Sequence, residues 1–435
     1  MKEEMAVSLA SGDLNINFIK AQVYNNHNIV IGEGCAYIDI KNGEIVLTCI
    51  LNKFNSNILF RALQVDVQEI YPDDCFVTVQ LEDFLGATWK TNKFIPHSLN
   101  ILNHEKQIFI NKINEIKKYE HITPEPYTYK YFFDKNNTMP IIDIQNYLRI
   151  IQQDRMHIDI GSSKIFFEEN SSYSMIEIVS STKISISKIR NIIAAISIAT
   201  GQIFSPFYSI SYEYPHKIST IYNKPQVNHI QSVFSYKNRA EDPFKYVVKA
   251  IESNIDLSIF VFLLERSILS QKVNFNMFCI SICTGIEQIG RKYFYEYGTP
   301  SKIEESTRIT ELLLAIKKED DTFYQRIKSS INNYRQFNIR TVFKKLHRLK
   351  VIDTNHLDAW SSLRNQVSHA TSESTPQKKV NMAFKCLELF YLLHFIIIGY
   401  EGKYIGFNND HLNPKTFIIP EELKAIDFSK FKIKE

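Results

Sequence analysis

Glycine is scarce in this chain, with 13 residues in 435. The nearest approach to a phosphate-cradling loop, Gly32-Glu33-Gly34, has no P-loop lysine behind it. Nucleotide hydrolysis by that route is therefore excluded. Cysteine is also thin and scattered. Cys35, Cys49, Cys75, Cys279, Cys283 and Cys386 form no Cys-x-x-Cys pair and have no histidine at zinc-finger spacing, so no metal site is expected. Reduced thiols in a cytoplasmic protein are the expected state. Met1-Lys2-Glu3-Glu4 does not open a charged-then-apolar leader. The most apolar run, Leu387 to Tyr400, is shorter than the roughly 20 residues of a membrane span and holds Glu388 and His394. It reads as a buried helix, and no membrane partner is expected. The last shortage is local: no acidic residue lies between Asp321 and Asp353.

The material for packed interiors is ample, at 44% hydrophobic and 13% aromatic, and the length predicts two domains. A net charge of +4 selects no partner by itself. The first third reads as β-structure. Ala36–Ile40 and Ile45–Thr48 flank Asn42-Gly43, the pair that a type I′ hairpin turn requires. Asn25 to Asn28 reads as a turn between earlier strands, with further strands expected at Leu59–Val67 and Cys75–Leu81. The alternating charge of Lys106–Lys118 suggests a short helix. A second hairpin is expected from Lys164–Phe167, a turn at Asn170-Ser171-Ser172, and Met175–Val179. Ser185–Thr200 then changes to helical period, with Ile189, Ile192, Ile193 and Ile196 on one side and Gly201 as its cap. A strand returns at Phe207–Tyr214.

The polar stretch 236–243, closed by Pro243, reads as a linker. Beyond it the pattern is helical, with candidates at 244–251, 258–270, 276–297, 303–318, 323–350 (interrupted), 355–371 and 377–399. The expected organisation is an α+β two-domain chain: a β-rich sensor or regulatory domain over 1–235, a linker, an all-α bundle over 244–402, and a tail over 403–435 that packs back on the protein.

Within that bundle Leu363-Arg364-Asn365-Gln366-Val367-Ser368-His369 has the form Arg-Asn-x-x-x-His. At ~100° per residue, Leu357, Trp360, Leu363 and Val367 form the core stripe of an amphipathic helix. Asp358, Ser362, Asn365 and His369 share another face, and Arg364 lies at the margin of the stripe beside Ser361 and Ser368. Arg364 and His369 point about 140° apart on a straight helix. One copy is thus awkward as a self-contained site, unless the helix bends or ends near Ser368 or a second copy completes it. Histidine titrates near neutrality and can take or return a ribose proton, while a forked, permanently charged arginine suits a phosphate gaining negative charge.

These residues resemble the hallmark of the HEPN superfamily, specifically the Apea-like HEPN proteins of bacterial defence systems. Arg364, Asn365 and His369 fit the shorter spacing of that hallmark. Glu287-Gln288-Ile289-Gly290-Arg291 fits the Glu-x3-Lys/Arg element that such domains carry on an earlier helix. The resemblance covers residues 244–400, and the β-rich region resembles Apea-like proteins in layout. It implies an all-α HEPN-like bundle, a homodimer bringing two motifs together, and RNA cleavage without a metal or other cofactor, leaving a 2′,3′-cyclic phosphate. Arg364, Asn365 and His369 would be catalytic, with Glu287 and Arg291 in support. As a surface pair, Glu287 and Arg291 are also an ordinary i, i+4 ion pair.

The acid-free segment carries Arg335, Arg340, Lys344, Lys345 and Arg348 with Tyr334, Phe337 and Phe343 interleaved. Positive charge for phosphates and aromatics for unpaired bases make it the expected RNA-binding stretch. A defence endoribonuclease triggered, for example by a phage product, through its N-terminal domain is the first reading. A catalytically silent HEPN module that dimerises or binds RNA is the second.

Overall fold

The computed structural model describes residues 2–11, 13–41, 43–54, 71–96, 98–101, 106–122, 126–136, 157–169, 171–224, 229–230, 232–234, 243–298, 311, 314–317, 322–328, 338–368, 375–407 and 414–433. The chain divides into two compact units, one of residues 1–186 and 204–227, the other of 187–203 and 228–435. A large antiparallel sheet makes up most of the first, and helices make up most of the second.

The first unit opens with α1 (Lys2–Ser11). Its Ala6 and Leu9 are buried in the same apolar core as Phe18, Val23, Leu47 and Phe109 of the sheet. Three long strands, β1 (Asp13–Asn25), β2 (Val30–Lys41) and β3 (Glu44–Phe54), follow as hairpins. Gly43 sits at φ +81° where Lys41 pairs with Glu44, a backbone conformation that favours glycine in the tight turn. The strand expected from Cys75 is β4 (Val77–Asp83), and β5 (Thr88–Thr91) and β6 (Ser98–Ile101) come next. The strand expected at Leu59–Val67 lies outside the described residues.

The stretch read as a helix, Lys106–Lys118, is instead β7 (Gln107–Ile113) leading into β8 (Glu115–His121). Its charges follow no helical face. Phe109, Asn111 and Ile113 alternate inward at the period of a strand, and β7 is bonded to β3 and β6 on its two sides.

The remaining strands are β9 (Tyr127–Asp134), β10 (His157–Ile160), β11 (Ser163–Glu169), β12 (Tyr173–Ser180), β13 (Tyr208–Glu213) and β14 (His216–Tyr222). They complete the order β10-β11-β12-β9-β13-β14-β8-β5-β4-β1-β2-β3-β7-β6. The second expected hairpin is β11–β12, with Ile165 opposite Ile178.

The helix expected over Ser185–Thr200 forms as α2 (Ile186–Thr200) and stops at Gly201, which has φ +69°. It does not, however, belong with the strands that precede and follow it. Asn191 donates to Ile255 O at 2.9 Å and accepts from Leu257 N at 2.8 Å, while Ile198 O accepts from Tyr391 Oη at 2.9 Å. These bonds attach α2 to the helical unit. The chain passes between the units at 186–187, 203–204 and 227–228, and residues 235–242 of the stretch read as a linker lie outside the described residues.

The second unit continues through α3 (Pro243–Glu252), α4 (Ser258–Val273), α5 (Phe275–Tyr293), α6 (Ile339–Arg348), α7 (Thr354–Ser368) and α8 (Pro376–Ile398). From Met382 onward α8 is buried on nearly every side, as expected of a helix enclosed by others. It has the length and composition of a membrane span, but 89% of its most apolar window is buried within the protein. Thr375 caps its start with Pro376 behind it, and Gly399 at φ +73° ends it. The tail packs on this unit: Lys415–Phe417 pairs with Gly402–Tyr404, Phe417 meets Phe395, and Phe431 meets Tyr293.

Candidate functional site

α7 begins where Asp353 accepts the His356 N–H at 3.0 Å, a carboxylate cap satisfying one of the helix's open donors. Trp360 and Leu363 are buried, and Trp360 meets Phe343 of α6 edge to face at 5.0 Å. Both belong to the stripe the periodicity predicts; its Leu357 is half-buried, and the Val367 side chain lies outside what is described. The stripe turns Arg364 and Asn365 to the surface, where both are exposed.

Arg364 is not left to solvent alone. Its Nε donates to Oε1 of Glu287 on α5, and its guanidinium lies 5.7 Å from the Trp360 ring centre. The two sequence elements 77 residues apart therefore meet. Glu287 holds the guanidinium by its inner edge, and the two terminal amino groups bond to no described residue. That open edge is the part of arginine that takes a phosphate bidentately. Arg291 lies one turn beyond Glu287 on α5 and is exposed. His369 and the stretch to 374 lie outside the described residues, as does Arg335.

The other basic residues divide by flank. Asn338 caps α6 by accepting from Arg340 N at 2.9 Å. Arg340 Nη2 then donates to Ser361 Oγ at 3.0 Å, one turn before Arg364 on α7. Lys344 and Arg348 follow on the exposed side. Lys345 points the other way. Its Nζ donates to Tyr297 O at 2.6 Å and lies 4.6 Å from the Tyr297 ring centre, so it ties α6 to the turn after α5.

Sequence reasoning did not single out the charged cluster beneath α7. Glu388 is fully buried in α8. Its Oε2 accepts from Lys385 Nζ at 2.8 Å, and its Oε1 accepts from Lys415 Nζ of the tail at 2.9 Å. Oε2 also lies 3.5 Å from His356 Nε2, a charge–charge contact too long for a strong hydrogen bond. On its other side His356 Nδ1 is 2.8 Å from Asp353 Oδ1. Burial opposes a charge on the imidazole, but Asp353 and Glu388 outweigh it and raise the His356 pKa above its ordinary value. Burial likewise opposes the Glu388 carboxylate, and His356 and Lys385 hold it down to about 2. The available signal was a lone carboxylate in the most apolar run, three residues after a lysine.

His394, on the same helix, behaves in the opposite way. Stacked on Phe260 at 4.0 Å and 3.0 Å from Tyr246 Oη, it is pushed by burial to about 3 and is neutral. Among the described residues no group of three or more His, Cys, Asp or Glu side chains is placed to hold a metal ion.

No family model, curated protein or solved structure matches the chain.

Proposed function

We propose that the chain is a metal-independent endoribonuclease of HEPN type, an anti-phage effector whose toxic activity is released when the N-terminal unit engages its trigger. The observation that carries this reading is the Glu287–Arg364 pair. It joins the two motif elements across α5 and α7 and, among the described residues, leaves the phosphate-binding edge of Arg364 open. In the proposed reaction the ribose 2′-oxygen attacks phosphorus, the bond to the 5′-oxygen breaks, and a 2′,3′-cyclic phosphate remains. His369 takes the 2′-hydroxyl proton or supplies one to the leaving oxygen. Arg364 stabilises the added charge on the phosphoryl oxygens, and Asn365 orients the histidine or bonds the phosphate. Arg364 and His369 diverge on a straight helix, so a homodimer supplies the two groups from facing copies.

The second reading, a silent dimerising or RNA-binding HEPN scaffold, gives Glu287–Arg364 only the task of tying α5 to α7. Expressing the wild type beside Arg364→Ala and His369→Ala separates the two. The nuclease reading expects growth arrest and new RNA ends bearing cyclic phosphate from the wild type, with both lost in either variant. Equal growth and unchanged RNA ends in all three folded proteins would sink it.

A further inference from the structure

We infer that Arg340, Lys344 and Arg348 form a phosphate track that delivers one single strand of RNA to Arg364. The inference rests on the ribonuclease reading and specifies how its substrate lies.

The register of α6 against α7 carries the argument. Arg340 bonds Ser361 at 3.0 Å and His347 bonds Thr354 at 3.1 Å, so the two helices run antiparallel side by side. Arg340, Lys344 and Arg348 follow each other four residues apart and all are exposed. Each step advances about 6 Å along the helix, comparable with the step of an extended single-stranded backbone. The row runs from the start of α7 toward Ser361, and Arg364 stands one further turn along α7. Arg340 therefore takes the phosphate next to the one at Arg364, with Lys344 and Arg348 taking those beyond.

The neighbouring charges leave the row open. Among the described residues none of the three cations has a carboxylate partner. The carboxylate within α6 and α7 is Asp358, which shares the flank of Asn365, and Asp353, just before α7, is held by His356. Glu287 is engaged with Arg364. One straight row of cations matches one backbone, whereas duplex RNA is met by contacts that span its wide minor groove. Lys345 supplies an internal comparison, since it carries the same charge on the same helix but faces Tyr297.

The test uses the full chain and 2′-O-methyl oligonucleotides, which bind without being cleaved, from dinucleotide to octanucleotide. Affinity should rise with length until four phosphates are covered and then level off. Lys344→Gln and Arg348→Gln should each lower the salt slope of octanucleotide binding by about 0.7, the release expected per single-strand contact. Arg340→Lys, which keeps the charge but loses the fork, should weaken binding without changing that slope. Lys345→Gln should leave the slope at its wild-type value. The track is overturned if Lys344→Gln and Arg348→Gln keep the wild-type slope, if Lys345→Gln lowers it equally, or if a duplex competes as well as the single strand. The readout also separates the two ideas. Track-dependent binding with no cleavage of unmodified RNA keeps the track and removes the nuclease, while cleavage with unchanged slopes does the reverse.

Discussion

At the scale of single residues, buried charge organises the base of the candidate site. Glu388 has no exposure and is met by Lys385, Lys415 and His356. Removing one member strands the others, so Glu388→Gln should cost about 3–5 kcal/mol in denaturant unfolding. The pH dependence has two limbs of opposite sign. The raised His356 pKa gives a contribution complete below 6.5 and lost as pH rises through the folded value. The lowered Glu388 pKa gives one present above 4.5 and lost as pH falls toward about 2. Stability should therefore be highest between these limits. In Glu388→Gln the alkaline limb should move to lower pH, because His356 loses an anionic neighbour. An alkaline limb unchanged by that substitution would show that the imidazole is not held charged by Glu388.

At the scale of elements, periodicity was informative where one face dominates. α2 and α7 form close to where their apolar stripes and, for α2, the terminal glycine place them, and α8 where the long apolar run does. The stretch Lys106–Lys118 was not legible as a strand, because its charges suggested helix and only bonding to β3 and β6 fixes β7 as extended. α1 gave no usable stripe; among its described side chains Ala6 and Leu9 are buried, with Met5 and Ala10 partly buried against the same core. The membership of α2 was also invisible in the pattern, since its attachment depends on Asn191 reaching two backbone groups around residue 256. Asn191→Leu leaves Ile255 O and Leu257 N without that partner, and should cost roughly 1–3 kcal/mol in thermal or denaturant unfolding. A loss under a few tenths would mean the backbone finds other partners.

At the scale of the molecule, the chain passes between its two units three times, at residues 186–187, 203–204 and 227–228. A fragment starting at residue 244 therefore lacks α2, and with it the partner of Tyr391 and part of the cover of α8. It should elute as aggregate and bind an apolar dye, whereas the full chain should do neither. A well-behaved, dye-negative fragment would show that the helices from α3 onward close their own core. Composition and pattern alone determined the strand-rich start, the helical remainder, the buried character of Leu387–Tyr400, and the motif helix with Arg364 on its margin. Those properties follow from local period and side-chain chemistry, which a linear sequence records. Tertiary structure decided that Glu287 meets Arg364 across 77 residues, that Lys345 faces inward while Arg340, Lys344 and Arg348 do not, and that α2 joins the helical core. Each of these depends on which surfaces come together, and no local period encodes that.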